Sequence, residues 1–302
     1  MHRRAYRRFD LTPDIHQKPR QFQNSEHIGR YADANGRHLH YLEQGEGEAL
    51  LLIHSLGQSL FTWHRVLDAL SEHYRVIAVD LPGHGYSDKP ADEAAYAISA
   101  LSDTLVALLD ELGVETAHLA AFSMGGMIAL DMAARYAHRV GRLVLICPGG
   151  VTATMPYAIR SLESPLTGWL TAATMSPKTI AGLLTDAFFD RTLITPEMVR
   201  EYYKPYADKA AGAALRAAFR AFDEEDVMPS LRDIQQDVLI VWGVDDRWRD
   251  VSSAEVFHIA LPRAQFALIR NCGHILHEEK PERFLDYALD FIERGIDDAA
   301  LD

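Results

Sequence analysis

Six short apolar runs constrain this chain more than anything else in it: ALLLIH (49–54), RVIAVD (75–80), AHLAAF (117–122), RLVLIC (142–147), DVLIVWG (237–243) and QFALIR (265–270). Each is strand length, and ALLLIH, RVIAVD and RLVLIC show the continuous apolar pattern of buried strands. Between them the periodicity changes. Leu101, Leu105, Leu108, Leu109 and Leu112 fall on one face at helical spacing, with Ser99 as N-cap and Gly113 as the stop. Trp63 to Leu70 and residues 281–293 also read as helices, and HLHYLEQG (38–45) as an alternating strand. Strands alternating with helices predict an α/β protein, a mostly parallel central sheet with helices on both faces and its ligand site at the carboxyl ends of the strands.

The rhythm breaks between Pro148 and about Ser230. That segment has helical stretches, one capped by Thr195 with Pro196 behind it, and many aromatics, but no strong strand. It predicts a helical lid over 149–230, inserted into a core formed by 31–148 and 231–295. A basic N-terminal extension (1–30) and an acidic tail (296–302) complete the expected organisation. The acidic run 223–226 has no histidine nearby and reads as a solvated turn. A formal net charge of −13 argues against nucleic acid as a partner, because phosphate binding needs a broad basic face. No apolar run approaches the ~20 residues that span a bilayer, so no integral membrane segment is expected. Two cysteines, Cys147 and Cys272, suit a reducing, cytoplasmic compartment and packing roles. The sequence holds no close-spaced ligand pair of the H-x-x-x-H kind, so neither metal nor cofactor is expected. Oligomeric state is not legible.

AAFSMGGMI (120–128) joins one of these strands to a helical pattern. A serine on such a sharp turn holds strained dihedrals and needs small neighbours, here Ala121 and Gly125. A serine hydroxyl is a poor nucleophile until an imidazole lies within reach, and the imidazole needs a carboxylate to fix its tautomer. Asp246 and His274 each follow a strand end, as Ser123 does. Asp245, His54, His84 and His277 are neighbouring candidates; the last three read as structural or cavity-lining.

The order serine, acid, histidine and five motifs carry a resemblance over Tyr31 to Glu293. LLIHSLGQSLFTW resembles the oxyanion loop of the α/β-hydrolase fold enzymes, and VIAVDLPGHGYSDKP their second-strand loop. AFSMGG resembles their nucleophile elbow, VWGVDD their acid turn and NCGHILHEEKPERF their histidine loop. The resemblance implies Ser123 as nucleophile, His274 as base and Asp246 as its orienter, with the backbone N–H groups of Leu56 and Met124 holding an oxyanion. Ser55, Trp169, Phe188, Trp248 and His277 are candidate substrate contacts. Four positions depart from the family pattern: Ala121 and Ser55 stand where glycine is usual, and Arg247 and Asp250 where prolines are common. The resemblance implies a carboxylic ester hydrolase acting on a small-molecule acyl substrate. The alternatives are a C–C bond hydrolase of ring-cleavage diketones, to which FFDRTLITPEMV bears likeness, an enol-lactonase or perhydrolase, and a non-catalytic binding module on the same fold.

Overall fold

The computed structural model describes residues 29–149, 157–164 and 168–296. The N-terminal extension through residue 28, two short stretches of the predicted lid and the tail from 297 lie outside the described residues. Eight strands form one open sheet: β1 (Arg30–Ala34), β2 (Arg37–Gln44), β3 (Ala49–Ile53), β4 (Arg75–Val79), β5 (Ala117–Phe122), β6 (Val140–Ile146), β7 (Val238–Gly243) and β8 (Ala264–Ile269), in the order β1-β2-β4-β3-β5-β6-β7-β8. β1 and β2 run antiparallel; from β4 to β8 every pairing is parallel. The apolar runs explain the centre, since every residue of β3 and β7 is buried. Ile53 lies opposite Ala121, Phe122 opposite Ile146, and Ile146 opposite Val241. This register brings the carboxyl ends of β3, β5, β6 and β7 into one row.

β2 buries Leu39 to Leu42 in succession instead of alternating. It lies inside the sheet, between β1 and β4, and both its faces are covered. β1 itself is foreshadowed only by the Asn35-Gly36 turn, whose positive φ values of 54° and 70° make a tight hairpin.

The helices are α1 (Leu67–Ser71), α2 (Ile98–Glu111), α3 (Met124–Arg135), α4 (Tyr157–Arg160), α5 (Gly168–Ala173), α6 (Pro177–Ala187), α7 (Pro196–Tyr203), α8 (Lys209–Ala221), α9 (Ser253–Ala260), α10 (Leu276–Glu279) and α11 (Pro281–Arg294). Two local expectations are corrected. Trp63 to Leu70 is a 3₁₀ turn over Leu60–Trp63 followed by the short α1, not one helix. α2 starts at Ile98 without a side-chain cap, and Ser99 lies inside it. A 3₁₀ turn capped by Asp92 delivers the chain straight into the helix, so no separate cap is needed. Helices α4 to α8 lie between β6 and β7. Ser176, Thr195 and Asp208 each accept a backbone N–H at a helix start there, and proline follows Ser176 and Thr195 as the first helical residue. Among the described residues no helix is long and apolar enough to cross a membrane.

Candidate active site

Ser123 ends β5 and precedes α3 at φ 51° and ψ −113°, outside the regions an L-residue prefers. Such strain costs about 1–3 kcal/mol and persists only where the surroundings enforce it. Here Ser123 N–H donates to Ile146 O (2.9 Å), and Gly126 N–H donates back to Ser123 O (2.9 Å). Small residues permit the turn: a Cβ on Gly125 would stand 2.6 Å from the carbonyl oxygens of Ile53 and His54. Helix α3 is therefore pressed against the end of β3. Ala121 is fully buried in β5, so the methyl group that replaces the usual glycine is accommodated inside the core.

The structure brings Ser123, Asp246 and His274 together, all with less than a tenth of their surface exposed. His274 Nδ1 lies 2.6 Å from Asp246 Oδ2 and Nε2 lies 3.2 Å from Ser123 Oγ. The carboxylate fixes the tautomer: Nδ1 carries the proton and Nε2 faces the hydroxyl. Asp246 Oδ1 accepts the N–H groups of Trp248 (2.8 Å) and Arg249 (3.0 Å), so the aspartate orders its own turn where proline is absent. Asp250 does the same one turn later by accepting Ser252 N–H. Asp245 faces elsewhere and accepts Asn271 N–H. The ring of His274 is held between Phe122 and Trp248, with centroids at 4.9 and 5.1 Å.

Beside this trio Cys147 is fully buried at φ 41°. Burial, then the nearby Asp246 carboxylate, pushes its thiol well above the ordinary range, and the protonated thiol donates toward Asp246. Cys147, Asp246 and His274 are the described grouping whose donor atoms lie close enough to share an ion, within 4.8 Å of one another. The same carboxylate and imidazole are already engaged with each other. Cys272 is buried and packs in the main core.

The N–H groups of Leu56 and Met124 find no backbone acceptor among the described residues. Met124 opens α3, where unpaired N–H groups and the helix dipole favour negative charge. Leu56 is placed by scaffolding that sequence reasoning undervalued. His54 Nδ1 donates to Ser55 O (2.7 Å), and its Nε2 accepts Leu81 N–H (2.9 Å). Burial lowers its pKa and keeps it neutral, as both bonds require. Asp80, which no motif assignment singled out, accepts Leu60 N–H, Tyr86 N–H and the His40 ring. Burial alone would raise its pKa, but the His40 hydrogen bond and charge outweigh it and the carboxyl is lowered. Its signal in the sequence was its place at the end of RVIAVD, before the PGHG turn.

A pocket opens next to the serine and histidine, at their chain neighbours Phe122 and Ile275. Ser55, Leu56 and Gln58 line one side, Phe122, Trp248 and Ile275 flank the serine and histidine, and Ile159, Met175, Ile180, Leu183, Leu184, Tyr202 and Tyr206 come from the segment between β6 and β7. Among the described residues no Arg, Lys, His, Asp or Glu side chain lines it. Of the candidate substrate contacts, Ser55 and Trp248 line this pocket, and three others are not in its described lining. Trp169 is 60% exposed on α5 and is not in the described lining. Phe188 is buried in the main core behind α6. His277 is fully buried, with Nε2 2.9 Å from Thr62 Oγ1, in a cluster with Glu278 and Tyr202. Aromatic identity alone could not separate lining residues from packing residues in a segment that builds its own core.

Taken with the open sheet, this arrangement of strand ends defines a hydrolase of the α/β class. The family model for the alpha/beta hydrolase fold matches residues 48–281, and the chain belongs to that family. It is 30% identical over 264 residues to a 2-hydroxy-6-oxo-6-phenylhexa-2,4-dienoate hydrolase of Comamonas testosteroni, across 85% of this chain and 91% of that one. A solved meta-cleavage product hydrolase from Pseudomonas fluorescens IP01 superposes with a TM-score of 0.78 at 27% identity, covering 89% of this chain and 99% of the other. A solved bacterial membrane phospholipase A, described as a virulence factor, superposes with a TM-score of 0.75 at 30% identity over 88% of this chain and 87% of its own.

Proposed function

We propose that the protein is a serine hydrolase that cleaves a neutral, largely apolar carboxylic ester through an acyl-enzyme on Ser123. His274 Nε2 takes the proton of Ser123 Oγ as the oxygen attacks the carbonyl carbon. The N–H groups of Leu56 and Met124 hold the oxyanion, each such donor contributing roughly 3 kcal/mol in the transition state. Collapse breaks the C–O bond to the leaving alcohol, which takes the proton from His274. Water then gives a proton to His274 and attacks the acyl carbon, and the carboxylic acid leaves as Ser123 regains its proton. The segment between β6 and β7 acts as the lid that shapes the acyl site and limits water.

The observation that carries this reading is the pairing of Ser123, His274 and Asp246 with a cavity whose described lining is apolar and uncharged. The relatives named above favour a second reading, C–C bond hydrolysis. Their substrate, by its name, carries a carboxylate, and such a group would meet no cation in the described lining. Fluorophosphonate labelling read by intact mass, with hydrolysis of p-nitrophenyl esters and of a 2-hydroxy-6-oxo-dienoate, tests both. The expected result is labelling and ester turnover that vanish in Ser123→Ala. Turnover of the dienoate alone would install the second reading. No labelling and no turnover would favour a binding module.

A further inference from the structure

A second, smaller chamber adjoins the acyl cavity and shares Gly57, Gln58, Tyr202 and Tyr206 with it. His84 and its flanking glycines in the PGHG turn form another wall. The partition is built in. Tyr206 donates its hydroxyl to Gly57 O (2.9 Å), and Gly57 sits at φ 72°, where an added Cβ would stand 3.1 Å from that hydroxyl.

Two polar atoms of this wall are buried without a partner, His84 Nε2 and Gln58 Oε1. His84 is only 4% exposed, and its Nδ1 donates to Pro82 O (3.0 Å), so Nε2 presents a lone pair. Burial drives its pKa down to about 3, which keeps it an acceptor at any ordinary pH. The nearby donors are spent. Lys89 gives its protons to Gly85 O and Ser87 O and pairs with Asp208, while the single proton of the Tyr202 hydroxyl goes to Glu278. An unpaired buried acceptor costs about 1–3 kcal/mol, so a chamber that keeps two of them is suited to a guest. The space admits a group about the size of one water molecule. No carboxylate lines the chamber among the described residues, so an ammonium would lose its hydration uncompensated.

We infer that this chamber is a hydroxyl subsite, making the substrates hydroxylated esters rather than plain ones; the inference rests on the ester-hydrolase reading. The hydroxyl donates to His84 Nε2. The Gln58 amide, whose two ends exchange by a half-turn, meets the hydroxyl oxygen with its N–H.

Two ester pairs test it: ethyl 6-hydroxyhexanoate against ethyl hexanoate, and 6-hydroxyhexyl butanoate against hexyl butanoate. The expected result is a kcat/KM ratio of at least about tenfold for the hydroxylated member of one pair, since a site built for a hydroxyl rejects analogues that lack it. The pair that responds tells whether the hydroxyl sits on the acyl or the alcohol side. In Gln58→Leu the ratio should fall towards one, whatever happens to the common rate. Gln58→Glu, which keeps the shape but replaces the N–H donor with a carboxylate, should lower the ratio and gain turnover of ethyl 6-aminohexanoate. Equal turnover within both pairs by the wild type would overturn the subsite and leave the hydrolase reading standing. Calorimetric titration of the same esters onto Ser123→Ala separates the two ideas. Preferential binding of hydroxylated esters without wild-type turnover would sink the hydrolase reading and keep the subsite.

Discussion

At the residue scale, two buried carboxyl groups do opposite things. Asp246 accepts three N–H donors, and Asp246→Asn keeps the acceptor facing Trp248 and Arg249 but sets an amide donor against His274. The ring then takes the other tautomer, and Nε2 can no longer receive the serine proton. The loss expected in kcat is roughly 10⁴-fold, with the melting temperature little changed. An Asp246→Asn protein labelled by fluorophosphonate as fast as the wild type would refute the assignment. Glu278 is fully buried beneath Tyr202 and Thr62, and burial, against those two hydrogen bonds, raises its pKa from 4.5 to about 8. Because the folded pKa exceeds the unfolded one, the folded chain holds a proton that the unfolded chain releases, and stability falls as pH rises from 4.5 towards 8. Glu278→Gln keeps the acceptor and puts its amide where Oε2 has no hydrogen-bond partner and lies 3.7 Å from His64 Nδ1. It should remove a pH-dependent penalty on the order of 4–5 kcal/mol by pH 9. Urea titrations at pH 5 and pH 9 check this; parallel pH dependences in the two proteins would refute it.

At the element scale, the histidine loop and the segment between β6 and β7 are strapped together by one side chain. The Glu279 carboxylate accepts the N–H groups of Phe189 and Asp190 just beyond α6 and of Gly273 beside the catalytic candidate, while His274 N–H donates to Ala187 O. Glu279→Ala would leave the buried Gly273 N–H unpaired at about 1–3 kcal/mol, and the half-buried Phe189 and Asp190 N–H groups to water. We expect a lower melting temperature together with a kcat that falls more than KM rises, because His274 loses its position before the apolar pocket loses its shape. A variant with native kcat would show the strap to be structural only. Legibility follows the same division. The apolar runs revealed β3 to β8; β3 to β7 are largely buried on both faces and need no context to be recognised, whereas β8 is the edge strand and leaves Leu268 exposed. β1 escaped notice because only Ala32 and Ala34 are buried in it. Ser99 misled because capping preference is local, whereas the start of α2 is set by the preceding turn. Ser123, Asp246 and His274 were legible because each follows a strand end in the sheet. Trp169, Phe188 and His277 were misplaced because the facing of an aromatic residue in a segment of short helices depends on packing that no periodicity encodes.

At the scale of the molecule, the question is whether the segment between β6 and β7 is a separate body or part of the core. One contiguous cluster runs from the sheet into Ile180, Leu184, Phe188, Met198 and Tyr202, so α6 and α7 share the core of the strands. A satellite cluster of Ile159, Leu162, Ala172, Leu215 and Phe219 holds α4, α5 and α8 together farther out. A few buried side chains stabilise an outer layer far less than a sheet core does, and local opening follows local burial. Denaturant unfolding followed by tryptophan fluorescence should therefore be a single transition, because Trp63 and Trp242 lie in the shared core. Native-state hydrogen exchange should be slowest in β3, β5, β6, β7 and α3, intermediate in α6 and α7, and fastest in α5 and α8. That gradient would let the outer wall of the acyl cavity, Ile159 and Met175, open without disturbing Ser123 and His274. Equal protection of α6 and α8 would mean that the two clusters act as one, and that substrate enters by another route than the outer wall.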